Sequence, residues 1–483
     1  MDRAEHVHQR FLNRVPAGDF PAVDLPRDLP LDAEQAVGIF RAQCISRHLD
    51  RMGRAMQKAG QGYYTIGSSG HEGMAAVAAA LTPADMAFLH YRDGAFQAQR
   101  ASQVEAQNVI RDMLLSFACS ADDPISGGRH KVLGSKALNI PPQTSTIASH
   151  LPKAVGAAYS IALAKRLRPE HRALEPESIV MCSFGDASAN HSTAQGAFNT
   201  AAWTAYQSVP LPLLFVCEDN GIGISVKTPA GWIEANFADR PGLAWFACDG
   251  LDMFDTYKAA CEAAAFVRRH RQPAFLRVKT VRLFGHAGSD VEAAYRPKAE
   301  IEKAEDDDPL VRSAALLIEA GYLSPDETVG IYEGIEKACE AEMEFAVERP
   351  RLKTARDVMA SLVPPKRKCA RTNGPAADER ERAFGTDFRL LDQPQPMAKL
   401  INWALTDLML EHREIVLAGE DVGAKGGVYG VTQKLMERFG RHRVIDTLLD
   451  EQSILGLAIG MAHNGIVPIP EIQFLAYLHN AED

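Results

Sequence analysis

Apolar positions along the chain follow two rhythms. Runs without a polar break, MAFLHY (86–91), SIVMCSF (178–184), PLLFVC (212–217) and AFLRVKTVRL (274–283), alternate with alanine-rich stretches of helical period. Unbroken apolar strands separated by helices imply a parallel sheet covered on both faces, so an α/β fold is predicted. A helix is predicted to start at Asp32, with Gln35 as its capping-box partner, and to stop at Gly60. Val37, Phe40, Cys44, Met52 and Met56 line its apolar face. Residues 1–34, with Pro16, Pro21, Pro26 and Pro30, read as an irregular arm. Residues 35–362 read as the main domain, ending in a charged helical annex over 300–360. VPPKRKCARTNGPAADERERAFG (363–385) opens a linker that runs to 396. A second α/β pattern occupies 397–483: helix MAKLINWALTDLMLEH, strand EIVLAG, RVIDT, a glycine-rich helix and strand IVPIPEIQF.

Composition narrows the class. A chain of 483 residues predicts two or three domains, and 46% hydrophobic with 24% charged residues reads as globular and soluble. The net charge of −10 argues against nucleic acid or an anionic membrane as the main partner. No apolar run reaches bilayer length, and the N-terminal stretch reads as neither a secretory signal nor a transit peptide, so a cytoplasmic location is expected. The eight cysteines form no C-x-x-C pair and read as buried thiols. No G-x-G-x-x-G turn follows a first strand, which leaves a nicotinamide-binding reading little support.

Two strand ends carry the chemistry. SIVMCSF breaks into GDASAN at Asp186, and PLLFVC breaks into EDNGIG at Asn220. Taken singly, the first is compatible with an N-cap and the second with a turn. A right-handed crossover through NHSTAQGAFNTAAWTAY brings both ends to one edge of the sheet, where ligands of open α/β sheets bind. A carboxylate, an amide oxygen and a backbone carbonyl are hard donors suited to an Mg²⁺ that also takes phosphate oxygens. The helix N-terminus after Asp186 offers N–H groups to the same phosphates.

These residues resemble the thiamine-diphosphate motif of 2-oxo acid dehydrogenase decarboxylating components, α type. TSTIASHLPKAVGAAYSIALAKR (144–166) and TVRLFGHAGSDVEAAYR (280–296) look most like the branched-chain members. Residues 415–474 resemble the start of the separate β chain of the same enzymes, so the chain looks like an α–β fusion. The resemblance implies thiamine diphosphate and Mg²⁺, the ion held by Asp186, Asn220 and the carbonyl of Ile222. It implies Tyr91, Arg92, Ala187 and Ser188 for the diphosphate, and Ser145 and Ile147 for the aminopyrimidine. His286, in the GH-x-x-SD loop, and Glu451, in LLDEQS, are the implied catalytic pair. Glu451 would favour the reactive tautomer of the pyrimidine, and His286 would move protons with a pKa near neutrality.

The implied reaction is oxidative decarboxylation of a branched-chain 2-oxo acid, such as 3-methyl-2-oxobutanoate, with reductive acylation of a lipoyl group on a dihydrolipoyl acyltransferase. Pyruvate or acetoin is the alternative substrate, and a homologue that binds cofactor or partner without full activity is the alternative function. A homodimer is expected, because β-type halves meet α-type halves across subunit interfaces in these enzymes. The family's β chain continues beyond the point matched by residue 483, so the β-type part is expected to be incomplete. Ala187 stands where the motif has its second glycine, and His150 stands where branched-chain relatives have glutamine near a monovalent-ion site. His71-Glu72 reads as packing at a helix start, and the plain rival to Arg92 as a diphosphate contact is a surface ion pair with Asp93.

Overall fold

The computed structural model describes residues 2–63, 66–130, 133–288, 290–366 and 374–482. Ser289 of the histidine loop, and Arg367, Lys368 and Cys369 of the basic stretch, lie outside the described residues. The chain divides into two compact units. The first holds Met1–Ser145, Met181–Asn190 and Leu214–Val363; the second holds Thr146–Val180, His191–Leu213 and Pro364–Asp483.

A five-stranded sheet organises the first unit. Its strands are β1 (Met86–Phe88), β2 (Val180–Gly185), β3 (Leu213–Asp219), β6 (Ala244–Asp249) and β7 (Ala274–Lys279), in the order β1-β2-β3-β7-β6. β7 pairs in parallel with β3, Leu214 opposite Ala274, and with β6, Ala244 opposite Ala274. Every residue of β2 is buried, as its unbroken apolar run requires, and Phe184, Phe215 and Phe275 meet edge to face across the strands. A two-stranded hairpin, β4 (Ile222–Gly223) with β5 (Val226–Lys227), follows β3. α2 (Ala33–Lys58) starts at Asp32 with both bonds of the capping box formed by Gln35.

The arm differs from its sequence reading. Residues 3–17 form a helix, α1 (Arg3–Ala17), capped by the side chain of Asp2. Val7, Phe11 and Val15, one turn apart, are buried on one face, and Pro16 falls only in the last turn. The prolines ended a helix and did not prevent one. α1 docks on the annex, where Phe11 stacks on Tyr332 of α5 (Pro325–Val347) with ring centroids 4.2 Å apart.

In the second unit, α3 (His150–Leu167) and α4 (Ser192–Tyr206) group with residues 364–483, although the sequence placed them in the main domain. The cause is a close crossing of α3 with α7 (Glu451–Ala462): a Cβ at Gly156 would stand 2.1 Å from the Leu457 carbonyl oxygen. A three-stranded parallel sheet, β10 (Val467–Glu471), β8 (Ile415–Gly419) and β9 (Val444–Asp446), completes the unit. Part of the expected linker is folded. Residues 377–384 form a helix whose Phe384 is buried near Trp403, while Arg380 pairs with Asp407 of α6 (Met397–Glu411) at 2.7 Å. No helix among the described residues is long and apolar enough to cross a membrane. The seven described cysteines are unpaired; five are buried and two half-buried.

Candidate cofactor and metal site

β2 delivers Asp186 to the sheet edge, where it is 1% exposed. Its backbone N–H donates to the Glu218 carbonyl (3.3 Å), which ties the turn after β2 to the end of β3. Burial lifts the Asp186 carboxyl to about 6, opposed by a hydrogen bond from Thr228. Its Oδ2 has no hydrogen-bond partner. A buried carboxylate oxygen without a donor is unfavourable unless a cation or another donor meets it.

Asn220 follows β3, and its Oδ1 accepts from the Ile222 N–H at 3.1 Å. Two residues on, Ile224 has left-handed backbone, φ +53°, which a β-branched residue adopts only under outside constraint. Arg282 supplies that constraint by donating to the Ile224 carbonyl at 2.7 Å. Asn220 and Ile222 also line a cavity of ≈ 220 Å³ whose other walls include Arg282, Arg296 and Lys303. Ala187 begins a short 3₁₀ turn, with Ser188 buried behind it. The extra methyl of Ala187 is matched by Gly223 opposite, where a Cβ would come within 2.4 Å of it. Asp186, Asn220 and the Ile222 carbonyl offer oxygen donors, and with one Asp186 oxygen buried and unpartnered the residue types fit Mg²⁺.

The turn after β1 brings a cation and two rings. Arg92 is buried and donates to the carbonyls of Gly67 (2.5 Å) and His286 (3.1 Å). Its Nη2 also stands 3.2 Å from His286 Nδ1, and the Tyr91 ring lies edge-on to the His286 ring at 6.2 Å. A guanidinium only donates, so Nδ1 of His286 accepts and the ring proton sits on Nε2. Burial, then Arg92 and Arg282, push His286 down to about 4. This corrects the expectation of a histidine titrating near neutrality: the ring is a neutral donor. Asp290 closes the loop, accepting from the His286 N–H (2.6 Å) and the Tyr295 hydroxyl. Arg92 and Asp93 are both buried, so the surface-pair reading does not hold.

Residues the sequence reading passed over knit these turns together. His71 and Glu218 are wholly buried, with His71 Nδ1 2.5 Å from Glu218 Oε2. Glu218 Oε1 meets His90 Nδ1 at 3.1 Å, and His71 Nε2 meets Asn220 Nδ2 at 3.1 Å. Glu72 is the packing residue expected, bonded to Arg47 at 2.7 Å, but its neighbour His71 belongs to the site. The one signal available was the histidine immediately before Tyr91-Arg92 and the glutamate two residues before Asn220.

Tyr91, Arg92, Asp186, Ala187, Ser188, Asn220, Ile222 and His286 all lie in the first unit. Ser145 ends its first segment and is exposed, as is Ile147, which belongs to the second unit. Glu451 is the first residue of α7 in the second unit, half-buried. There it is one of a group of carboxylates: burial, then Glu451 and Glu471, raise the carboxyl of Glu420.

The family described as dehydrogenase E1 component matches residues 40–355, and the transketolase pyrimidine-binding domain matches residues 393–483. The 2-oxoisovalerate dehydrogenase subunit alpha of Bacillus subtilis is 30% identical over 305 residues, 62% of this chain and 86% of that subunit. The mitochondrial 2-oxoisovalerate dehydrogenase subunit alpha of Homo sapiens is 27% identical over 348 residues, 68% of this chain and 71% of that protein. The 3-methyl-2-oxobutanoate dehydrogenase subunit beta of Mycobacterium tuberculosis is 43% identical over 93 residues, 19% of this chain and 27% of that subunit. With matches to α- and β-type proteins falling in order along one polypeptide, the chain belongs to the dehydrogenase E1 component family, fused to a transketolase-type pyrimidine-binding domain.

Proposed function

We propose that the chain decarboxylates a branched-chain 2-oxo acid, such as 3-methyl-2-oxobutanoate, and passes the acyl group to a lipoyl group on a partner acyltransferase. The observation that carries the reading is the unpartnered, buried carboxylate oxygen of Asp186 at a sheet edge shared with Asn220. The substrate follows the names of the α- and β-type relatives. Pyruvate or acetoin is the alternative, since a methylene or two in an apolar pocket distinguishes small substrates by only a few kcal/mol.

In this reading Asp186, Asn220 and the Ile222 carbonyl hold Mg²⁺, and Tyr91, Arg92, Ala187 and Ser188 face the diphosphate. Ser145, Ile147 and Glu451 serve the aminopyrimidine. Thiamine diphosphate supplies the electron sink that decarboxylation needs. The protein's own residues then position and protect. Arg92, fixed by the carbonyls of Gly67 and His286, holds a positive charge at the turn that would face the phosphate oxygens. His286, its Nδ1 engaged, offers Nε2–H to an oxygen of the substrate. Residues 35–362 act as the α-type half, 363–396 as the connection and 397–483 as the β-type half, in a cytoplasmic homodimer.

The test is turnover of 3-methyl-2-oxobutanoate, pyruvate and acetoin by the purified chain with thiamine diphosphate, Mg²⁺ and an artificial electron acceptor. The highest kcat/KM is expected for the branched acid. Preference for pyruvate or acetoin selects the alternative, and cofactor binding without turnover selects a non-catalytic homologue.

A further inference from the structure

We propose that His71, clamped by Glu218, is a positioning residue that sets the side-chain amide of Asn220 with its oxygen toward the cation. The inference rests on the reading of Asn220 as a metal ligand. An amide has one ligating end, and nothing in asparagine itself decides which end faces the ion. The network around it does decide.

Oδ1 of Asn220 is taken by the Ile222 N–H, so its NH₂ faces His71, and Nε2 there accepts and carries no proton. Glu218 lies against Nδ1, and a carboxylate accepts, so the proton is on Nδ1. The Asn220 NH₂ stands 3.1 Å from the bare Nε2. On the other side Oδ1 accepts from the Ile222 N–H at 3.1 Å. Turning the amide over would set oxygen against the Nε2 lone pair and NH₂ against the Ile222 N–H. Both hydrogen bonds would become repulsions.

The clamp is itself held. Gly70 has φ +101°, and a Cβ there would lie 2.0 Å from the Val281 carbonyl oxygen, so the loop before His71 is pressed against that segment. The second oxygen of Glu218 takes His90 Nδ1, and Tyr91 and Arg92 follow directly. One carboxylate thus anchors the turn that bears the proposed diphosphate residues and, through His71, the amide that bears the metal. A metal ion within this His71, His90 and Glu218 group is the rival. Two ligand atoms of one tetrahedral zinc stand roughly 3.3 Å apart, given bonds near 2.0 Å. The 2.5 Å separation of His71 Nδ1 and Glu218 Oε2 is a hydrogen bond.

Mn²⁺ affinity of the full chain, measured by electron paramagnetic resonance of free Mn²⁺ with thiamine diphosphate present, tests the proposal. His71→Leu is expected to weaken Mn²⁺ by about 10–100-fold, the range found for partners that orient metal ligands. His71→Gln, which offers both an acceptor and a donor, should restore most of the loss. In an Asn220→Asp background, where both oxygens are equivalent, His71→Leu should cost far less. Equal affinity of His71→Leu and wild type overturns the inference, as does equal weakness of His71→Leu and His71→Gln. Zn²⁺ binding lost on His71→Leu without thiamine diphosphate favours the rival and overturns it. Wild type that binds no Mn²⁺ with thiamine diphosphate overturns the metal-site reading instead. Should the leucine variant not fold, ¹⁵N NMR of the wild-type imidazoles decides: protonation at Nδ1 of His71 is expected, and protonation at Nε2 overturns the proposal.

Discussion

His71, His90 and Glu218 meet at the sheet edge; His8, His48 and Glu336 meet where α1, α2 and α5 come together. The same three side chains are buried or half-buried in both groups, yet their surroundings differ in one respect. In the second group Arg51 donates to Glu336 at 2.6 Å, to His48 Nδ1 at 3.1 Å and to Glu5 at 3.2 Å. The protein supplies its own cation there, and the group is a clamp that holds α1 down. In the first group no guanidinium or ammonium bonds Glu218 among the described contacts, and the nearby Asp186 keeps an oxygen without a donor. Identical ligand types therefore do not make identical sites; who brings the positive charge decides. The clamp is complete in itself, whereas at the edge a buried carboxylate oxygen is left without a donor.

The largest effect is expected from removing that oxygen. Asp186→Ala takes away the only carboxylate of the proposed ligand set. The loss of Mn²⁺ affinity should exceed the roughly 100-fold upper range for outer partners, with turnover lost alongside it. Glu336→Gln, in the clamp, should leave Mn²⁺ affinity unchanged. If both substitutions weaken Mn²⁺ alike in parallel titrations, the contrast between the two groups fails.

Next comes the clamp's apolar half. Phe11 is fully buried and stacks on Tyr332, so Phe11→Ala should destabilise the docking of α1 by about 3–5 kcal/mol. Hydrogen exchange in α1 should quicken accordingly while the amides of β2 and β3 keep their protection. Equal acceleration in the strands would mean that helix and sheet open together.

How much of this was legible in the sequence follows from how far apart the partners lie. Asp186 and Asn220 announced themselves because each breaks an apolar run, a local signal, and chain topology alone brings two such breaks to one edge. The Asp32–Gln35 capping box was equally local. The partners of His71 and His286 were not. Glu218 lies 147 residues from His71, and Arg92 lies 194 from His286, so neither the hydrogen bonds nor the depressed His286 had a local trace. α1 was hidden because the prolines drew the eye from the Val7, Phe11 and Val15 spacing. β6, the edge strand, was not among the runs named, although AWFAC is apolar throughout; its residues are mostly half-buried. Glycine at 156 showed nothing in isolation, since its reason is a carbonyl contributed by α7.

Acidity should separate the clamp from the rest of α1 docking. Burial lowers His8 and, more strongly, His48; Arg51 lowers both, while Glu336, Glu5 and Glu333 raise His8. A histidine lowered in the folded state takes up its proton more readily when unfolded, where it titrates near 6.5. Stability from the clamp is therefore full above about pH 6.5 and is lost as the pH falls toward the lowered folded values. The thermal midpoint should drop between pH 7.5 and 5.5, and His48→Gln should flatten that dependence. A slope unchanged by the substitution would assign the acid sensitivity elsewhere.

The smallest effect isolates a single hydrogen bond. Tyr332 touches His8 through its hydroxyl, 3.1 Å from Nδ1, and touches Phe11 and His48 through its ring. Burial raises the phenol above its ordinary range, so it is a neutral hydroxyl at any working pH. Tyr332→Phe keeps both ring contacts and strips only the bond to His8, leaving a buried imidazole nitrogen unpartnered. The expected loss is about 1–3 kcal/mol in α1 docking, read by the same exchange measurement, with Mn²⁺ affinity unmoved. A loss as large as that of Phe11→Ala would place the clamp's strength in its polar group. No loss at all would mean that packing holds α1, and that the two histidine groups differ in more than the origin of their cation.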